Sequence, residues 1–118
     1  MLQPNSLTDY ANLIHQITVK HGFWPAKKME RNIGEMLALI HSEISEALEC
    51  YRNNQMFTVY IEDEHGNSKP EGFYTELADA IIRILDIFSA HCIDPDKEVF
   101  NKMYYNDQRP YRHGGKLA

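Results

Sequence analysis

Two pairs of carboxylates stand out among the 118 residues. Glu43 and Glu46 are spaced i, i+3, and so are Glu76 and Asp79. At that spacing on a helix, two side chains share a face on neighbouring turns. Glu49 lies one turn beyond the first pair. The second pair begins a polar stripe that continues to Arg83 and Asp86 in an otherwise apolar stretch. Solvent-facing acids are common, so one such pair alone carries little. Polar groups on a buried helix need partners or a metal, however, and Glu43 and Glu46 border an apolar face instead of opposing it. If the two stretches pack together, four anions converge in a partly dry site, and a divalent cation would relieve their repulsion. Hard oxygen ligands without an obligatory cysteine or histidine select Mg²⁺ or Mn²⁺. A di-iron site needs Glu-x-x-His on each of two helices. The one such spacing, Glu62 to His65, falls among turn residues.

Carboxylate-held Mg²⁺ usually works on phosphate, and the C-terminal region carries cations to match. Lys102, Asn106 and Arg109 recur at i, i+4 and i+7, with Arg112 and Lys116 beyond them. The formal net charge is −5, and it is unevenly spread. Residues 97–118 sum to +3, from Lys97, Lys102, Arg109, Arg112 and Lys116 against Glu98 and Asp107, so residues 1–96 sum to −8. The plain reading is a solvated basic tail. The sharper one is an arm that reaches an anionic ligand, with Lys and Arg suited to a polyphosphate and Asn106 to a sugar or base.

Four helices are needed to position these groups. Leu7, Tyr10, Ala11, Leu13, Ile14, Ile17 and Thr18 repeat with helical period over 7–21, between Ser6 as N-cap and Gly22 as stop. Phe23-Trp24-Pro25 is a stiff aromatic linker. The spacing predicts a second helix over 30–52, with a broad buried face built on Ile33, Met36, Leu37, Leu39, Ile40, Ile44, Ala47 and Leu48. Residues 53–72 break the pattern. Asn53-Asn54 and His65-Gly66-Asn67 are turn signals, and Phe57, Val59 and Ile61 alternate with polar neighbours. A short strand or hairpin fits that stretch, as does a loop, and Pro70 closes it. A third helix over 71–91 is apolar around most of its circumference and is expected between partners. Asp94-Pro95-Asp96 starts a fourth, ending near Asn106 or Asp107. The fold class is all-α, a four-helix bundle with one irregular insertion, in a single domain over 1–118.

Composition narrows the classes further. Apolar residues make up 43%, which argues against a disordered chain. No run approaches the ~18 apolar residues of a membrane span. The start, MLQPNSLTDY, lacks a basic stretch leading into an apolar core, so no secretory signal is expected. Cys50 and Cys92 have neither disulfide-framework nor metal-site spacing, and a reduced, cytoplasmic protein is expected. The acidic body argues against a nucleic-acid binder. The modest size makes oligomerisation a reasonable expectation.

Glu43-x-x-Glu46 followed by Glu76-x-x-Asp79 resembles the metal signature of the MazG-like all-α nucleoside triphosphate pyrophosphohydrolases. This superfamily includes the dimeric dUTPases, dCTP pyrophosphatases and phosphoribosyl-ATP pyrophosphohydrolases. "LALIHSEISEALE" resembles its second helix, "ELADAIIRILD" its third, and "KMYYNDQRPYRHGGK" the C-terminal Lys-x3-Asn-x2-Arg stretch of phage and bacterial members. The resemblance covers about residues 20–118. It implies Mg²⁺-dependent hydrolysis of a (deoxy)nucleoside triphosphate to the monophosphate and pyrophosphate. Glu43, Glu46, Glu76 and Asp79 would hold the metal, and Glu43 would activate the water by its position in the motif. Lys102, Arg109 and Arg112 would bind phosphate, and Asn106 the sugar. Trp24 would either stack on the base or plug the core. His41 points elsewhere and is read as packing or hydrogen bonding. A homodimer or homotetramer is implied, since several subunits commonly build such sites. The insertion at 53–72 departs from several relatives and leaves base specificity open. The alternatives are a phosphoribosyl-ATP type enzyme and a non-catalytic helical regulatory module whose acids are structural.

Overall fold

The computed structural model describes residues 1–25 and 31–111. Four helices appear in the expected order: α1 (Leu7–Lys20), α2 (Ile33–Arg52), α3 (Phe73–Ala90) and α4 (Pro95–Asp107). Their ends follow from side-chain chemistry. Ser6 Oγ accepts from the Asp9 amide at 3.0 Å, and Asn32 Oδ1 accepts from the Glu35 amide at 2.9 Å. Helix α2 thus begins after Asn32, slightly later than the periodicity predicts, and Arg31 belongs to the linker. Asp94 caps α4 through the Lys97 amide, with Pro95 in the first turn.

Helix α3 is central and packs on both α1 and α2, while α4 packs on α1. The α1–α4 contact is polar. The Leu7 and Thr8 amides both donate to the Asp96 carboxylate at 3.0 Å, and the Thr8 hydroxyl donates to Asp94 and Asp96. Asp96 therefore caps the start of α1 as well as serving the first turn of its own helix. These bonds hold its carboxyl below the usual range. Ala11, Ala47, Ala80 and Ala90 are buried, and small side chains at buried positions let helices approach closely.

The insertion is a hairpin, the ordered form of the stretch read as hairpin or loop. Strands β1 (Val59–Glu62) and β2 (Ser68–Glu71) pair antiparallel, with Ile61 opposite Lys69 and Glu62 opposite Ser68. Pro70 lies inside β2, opposite Tyr60, and does not close the segment beforehand. A strand with one free edge tolerates a residue that lacks an N–H. The hairpin is anchored at its base: the Phe73 amide donates to the Gln55 carbonyl at 2.9 Å. Gly72 adopts φ +136°, and a Cβ there would stand 2.8 Å from the Phe57 carbonyl oxygen, so only glycine fits.

The expected broad burial of α2 and α3 is not met within one chain. Met36 and Ala47 are the buried residues of α2, whereas Ile33, Leu37, Ile44 and Leu48 are about half exposed. Ile81, Ile82 and Ile84 of α3 are exposed too. The radius of gyration is 16.8 Å, against about 13.5 Å for a compact chain of this length. An apolar stripe of this kind on two neighbouring helices is unsatisfied surface. No helix among the described residues is long and apolar enough to cross a membrane.

Candidate metal centre

The facing turns of α2 and α3 bring three of the four acids together. Among the described residues, Glu43, Glu76 and Asp79 each offer a carboxylate oxygen, all within 4.8 Å of one another. Glu46 is one turn further along α2, exposed, and outside that triad, but it is close enough to act on Glu76 electrostatically. Glu76 shows the strain of this crowding. Burial, a hydrogen bond with Glu43 and the charges of Asp79, Glu43 and Glu46 push its carboxyl up to about 7. Asp79 is also raised, by burial and by Glu43, against the opposing pull of Arg83 and Lys69.

Arg83 is the one residue at the centre to which the sequence reading gave no role. Its Nε donates to Glu43 Oε1 at 2.9 Å, with the Glu43 side chain only 13% exposed. The signal was in the sequence as the stripe from Glu76 through Asp79 to Arg83. Asp86, the last member of that stripe, is buried and lies outside the acid triad, though it borders the same cavity as Glu43 and Asp79. It accepts from His15 Nδ1 at 2.8 Å, Trp24 Nε1 at 2.9 Å and Thr18 Oγ1 at 3.0 Å. It thereby ties α1, the linker and α3 into one unit, so its partners are structural.

Trp24 is buried in the core beside Met36 and Ala90. Its ring meets His15 edge-on, and the Arg31 guanidinium lies 5.0 Å from the ring centroid. Of the two roles open to it, core packing is the one this placement fits; a nucleobase has no free access to the ring. His41 is exposed on α2, without the packing or hydrogen bond expected of it among the described residues.

Two cavities adjoin the acids. One, of about 230 Å³, is bordered by Glu43, Asp79, Arg31 and Arg83. The other, of about 620 Å³, is bordered by Glu46 and Glu76 and by the hairpin residues Phe57, Val59 and Ile61. Lys102, Asn106 and Arg109 border neither. They lie on α4 and just past its end, where the Lys102 ammonium and Arg109 guanidinium flank the Tyr105 ring at 4.9 and 5.7 Å. The structure thus does not bring the basic face to the acids within one chain. Arg112 and Lys116 lie outside the described residues.

The chain matches no protein-family model, and no curated protein or solved structure is significantly similar to it.

Proposed function

We propose that the protein is a Mg²⁺-dependent nucleoside triphosphate pyrophosphohydrolase of the MazG-like type, with Mn²⁺ as an alternative metal. The observation that carries this reading is the convergence of Glu43, Glu76 and Asp79 on two packed helices, with Glu46 beside them. The donor set suits a hard cation: it is all carboxylate oxygen, and one guanidinium faces several carboxylates. Burial first, then the Glu43 hydrogen bond and the neighbouring carboxylates, keep Glu76 protonated up to about 7, which fits a site with surplus negative charge. Glu43, Glu76 and Asp79 would hold the ion, with Glu46 alongside, and it would neutralise the triphosphate and polarise phosphate and water when bound.

The chain's own residues divide the remaining work. Arg83 fixes the Glu43 carboxylate, the water-activating group by motif position, in one orientation. Glu76, whose carboxyl keeps its proton up to about 7 in the metal-free chain, would give that proton up on binding the cation. Catalysis would rest mainly on positioning and charge stabilisation, as is usual for phosphoryl transfer.

Lys102, Asn106 and Arg109 enter this reading through assembly. They border neither cavity beside the acids of their own chain, and α2 and α3 leave an apolar stripe uncovered. In a homodimer or homotetramer joined through that stripe, the α4 cations of one subunit would reach triphosphate held by another.

The test is incubation with each common NTP and dNTP plus Mg²⁺, with pyrophosphate release measured for wild type and Glu43→Gln. Release by wild type that is lost in the variant is expected. No release from any nucleotide would favour the regulatory-module alternative.

A further inference from the structure

The acids stand at the boundary of two cavities, the smaller carrying two guanidinium groups and the larger an apolar hairpin wall. Glu43 and Asp79 border the smaller, where Arg31 and Arg83 supply guanidinium groups. Glu46 and Glu76 border the larger, whose other wall is the hairpin. That second cavity has the volume of small-ligand sites and their usual lining, an apolar wall with a few polar groups. Phe57 stands on its rim with 82% of its surface exposed, so its ring face is open to a planar ligand. The amides of Asn54 and Gln55 also border it, and their side chains have no hydrogen-bond partner among the described residues. An amide offers both a donor and acceptor, as the edge of a nucleobase requires.

We propose that the cleft between the end of α2 and the hairpin takes the nucleoside half of the substrate, with Phe57 stacking on the base and Gln55 or Asn54 reading its edge. The cavity holding Arg31 and Arg83 takes the outer phosphates. This inference rests on the nucleotide reading above and adds the direction in which the substrate lies across the acids. The pinned base of the hairpin supports it. Gly72 permits the close approach of the Phe57 backbone to the start of α3, and the bond from the Phe73 amide to the Gln55 carbonyl pins the chain that leads into the cleft. The insertion is thus a specificity element.

The experiment compares two Mg²⁺-loaded probes by calorimetry: α,β-imido analogues of the common nucleoside triphosphates, and inorganic tripolyphosphate, which has no nucleoside. Phe57→Ala should weaken the best-bound analogue about tenfold and leave tripolyphosphate unchanged. Phe57→Trp should restore analogue binding. Arg31→Ala should weaken both probes alike. Phe57 is exposed, so its variants should melt with the wild type. Equal effects of Phe57→Ala on both probes, or no effect on either, would overturn the assignment of the cleft. Unchanged tripolyphosphate binding in Arg31→Ala would overturn the direction. A wild type that hydrolyses nucleotides while Phe57→Ala binds normally refutes this inference and leaves the enzymatic reading standing. A wild type that binds the analogues with the expected pattern but hydrolyses nothing does the reverse. A wild type that binds no nucleotide refutes both.

Discussion

Glu76 gives the acidic centre a measurable pH signature. Its carboxyl has a pKa of about 7, so roughly nine-tenths is ionised at pH 8 and one-tenth at pH 6. A metal ligand must be ionised, and protons therefore compete with the cation. Mg²⁺ affinity should fall about tenfold from pH 8 to pH 6 from this group alone. Stability without metal should move the opposite way. The folded state holds the Glu76 proton more tightly than the unfolded chain, whose value is 4.5. This group's contribution is therefore complete below pH 4.5 and is lost as pH rises through about 7. The full shift would correspond to about 3 kcal/mol, and solvent screening of a partly exposed carboxyl reduces that to about 1 kcal/mol. Glu76→Gln keeps the shape and removes both trends. The assay is a set of thermal melts and calorimetric Mg²⁺ titrations across pH 5.5–8.5, in EDTA or in Mg²⁺. In EDTA at pH 8 the variant should be at least as stable as the wild type, and it should gain little from Mg²⁺. A wild-type Mg²⁺ affinity equal at pH 6 and pH 8, or a variant destabilised in EDTA by several degrees, would refute the reasoning.

Three further outcomes are expected. Arg83→Gln should destabilise the metal-free protein by about 1 kcal/mol in urea denaturation, because the Glu43 carboxylate loses its partner, and Mg²⁺ should recover part of the loss. Asp86→Asn should cost about 2–4 kcal/mol, since it breaks charge-assisted bonds to His15, Trp24 and Thr18 in the core; Trp24 fluorescence should shift red as the indole meets water. Lys102→Ala and Arg109→Ala should each weaken triphosphate binding by about 1.5–3 kcal/mol, seen as raised KM, with melting temperature unchanged.

The helices were legible because their signals are local. Ser6, Gly22 and the Asp94-Pro95 step mark ends that the structure keeps to within a residue or so. The start of α2 was harder. The expected range starts at 30, whereas Asn32 caps the helix and its first apolar position, Ile33, is also its first residue. The strand β1 announced itself by alternation, whereas β2, Ser68–Glu71, carries no apolar residue in alternation and contains Pro70. Its partner is set by the turn at His65-Gly66 and the register that follows, a pairing that composition does not encode. The acids were legible as spacing, and their convergence depended on α2 and α3 packing side by side. Glu46 falls at the edge because successive i, i+3 positions drift around a helix of 3.6 residues per turn. Arg83 was visible in the stripe, yet its choice of Glu43 over solvent is tertiary. Trp24 shows a different limit: the same ring serves a core or a ligand, and burial alone decides. The apolar positions on α2 and α3 repeat as buried faces would, yet in a single chain many are exposed, because periodicity marks the faces that want covering without saying what covers them.

The central claim is attack of water on the α-phosphorus at the acidic centre. Its most direct test is hydrolysis of a nucleoside triphosphate in ¹⁸O-labelled water with Mg²⁺, followed by mass analysis of both products. One ¹⁸O in the nucleoside monophosphate and none in the pyrophosphate, with no reaction in EDTA, is the predicted result. Label in the pyrophosphate, release of inorganic phosphate, or no product from any common NTP or dNTP would contradict it.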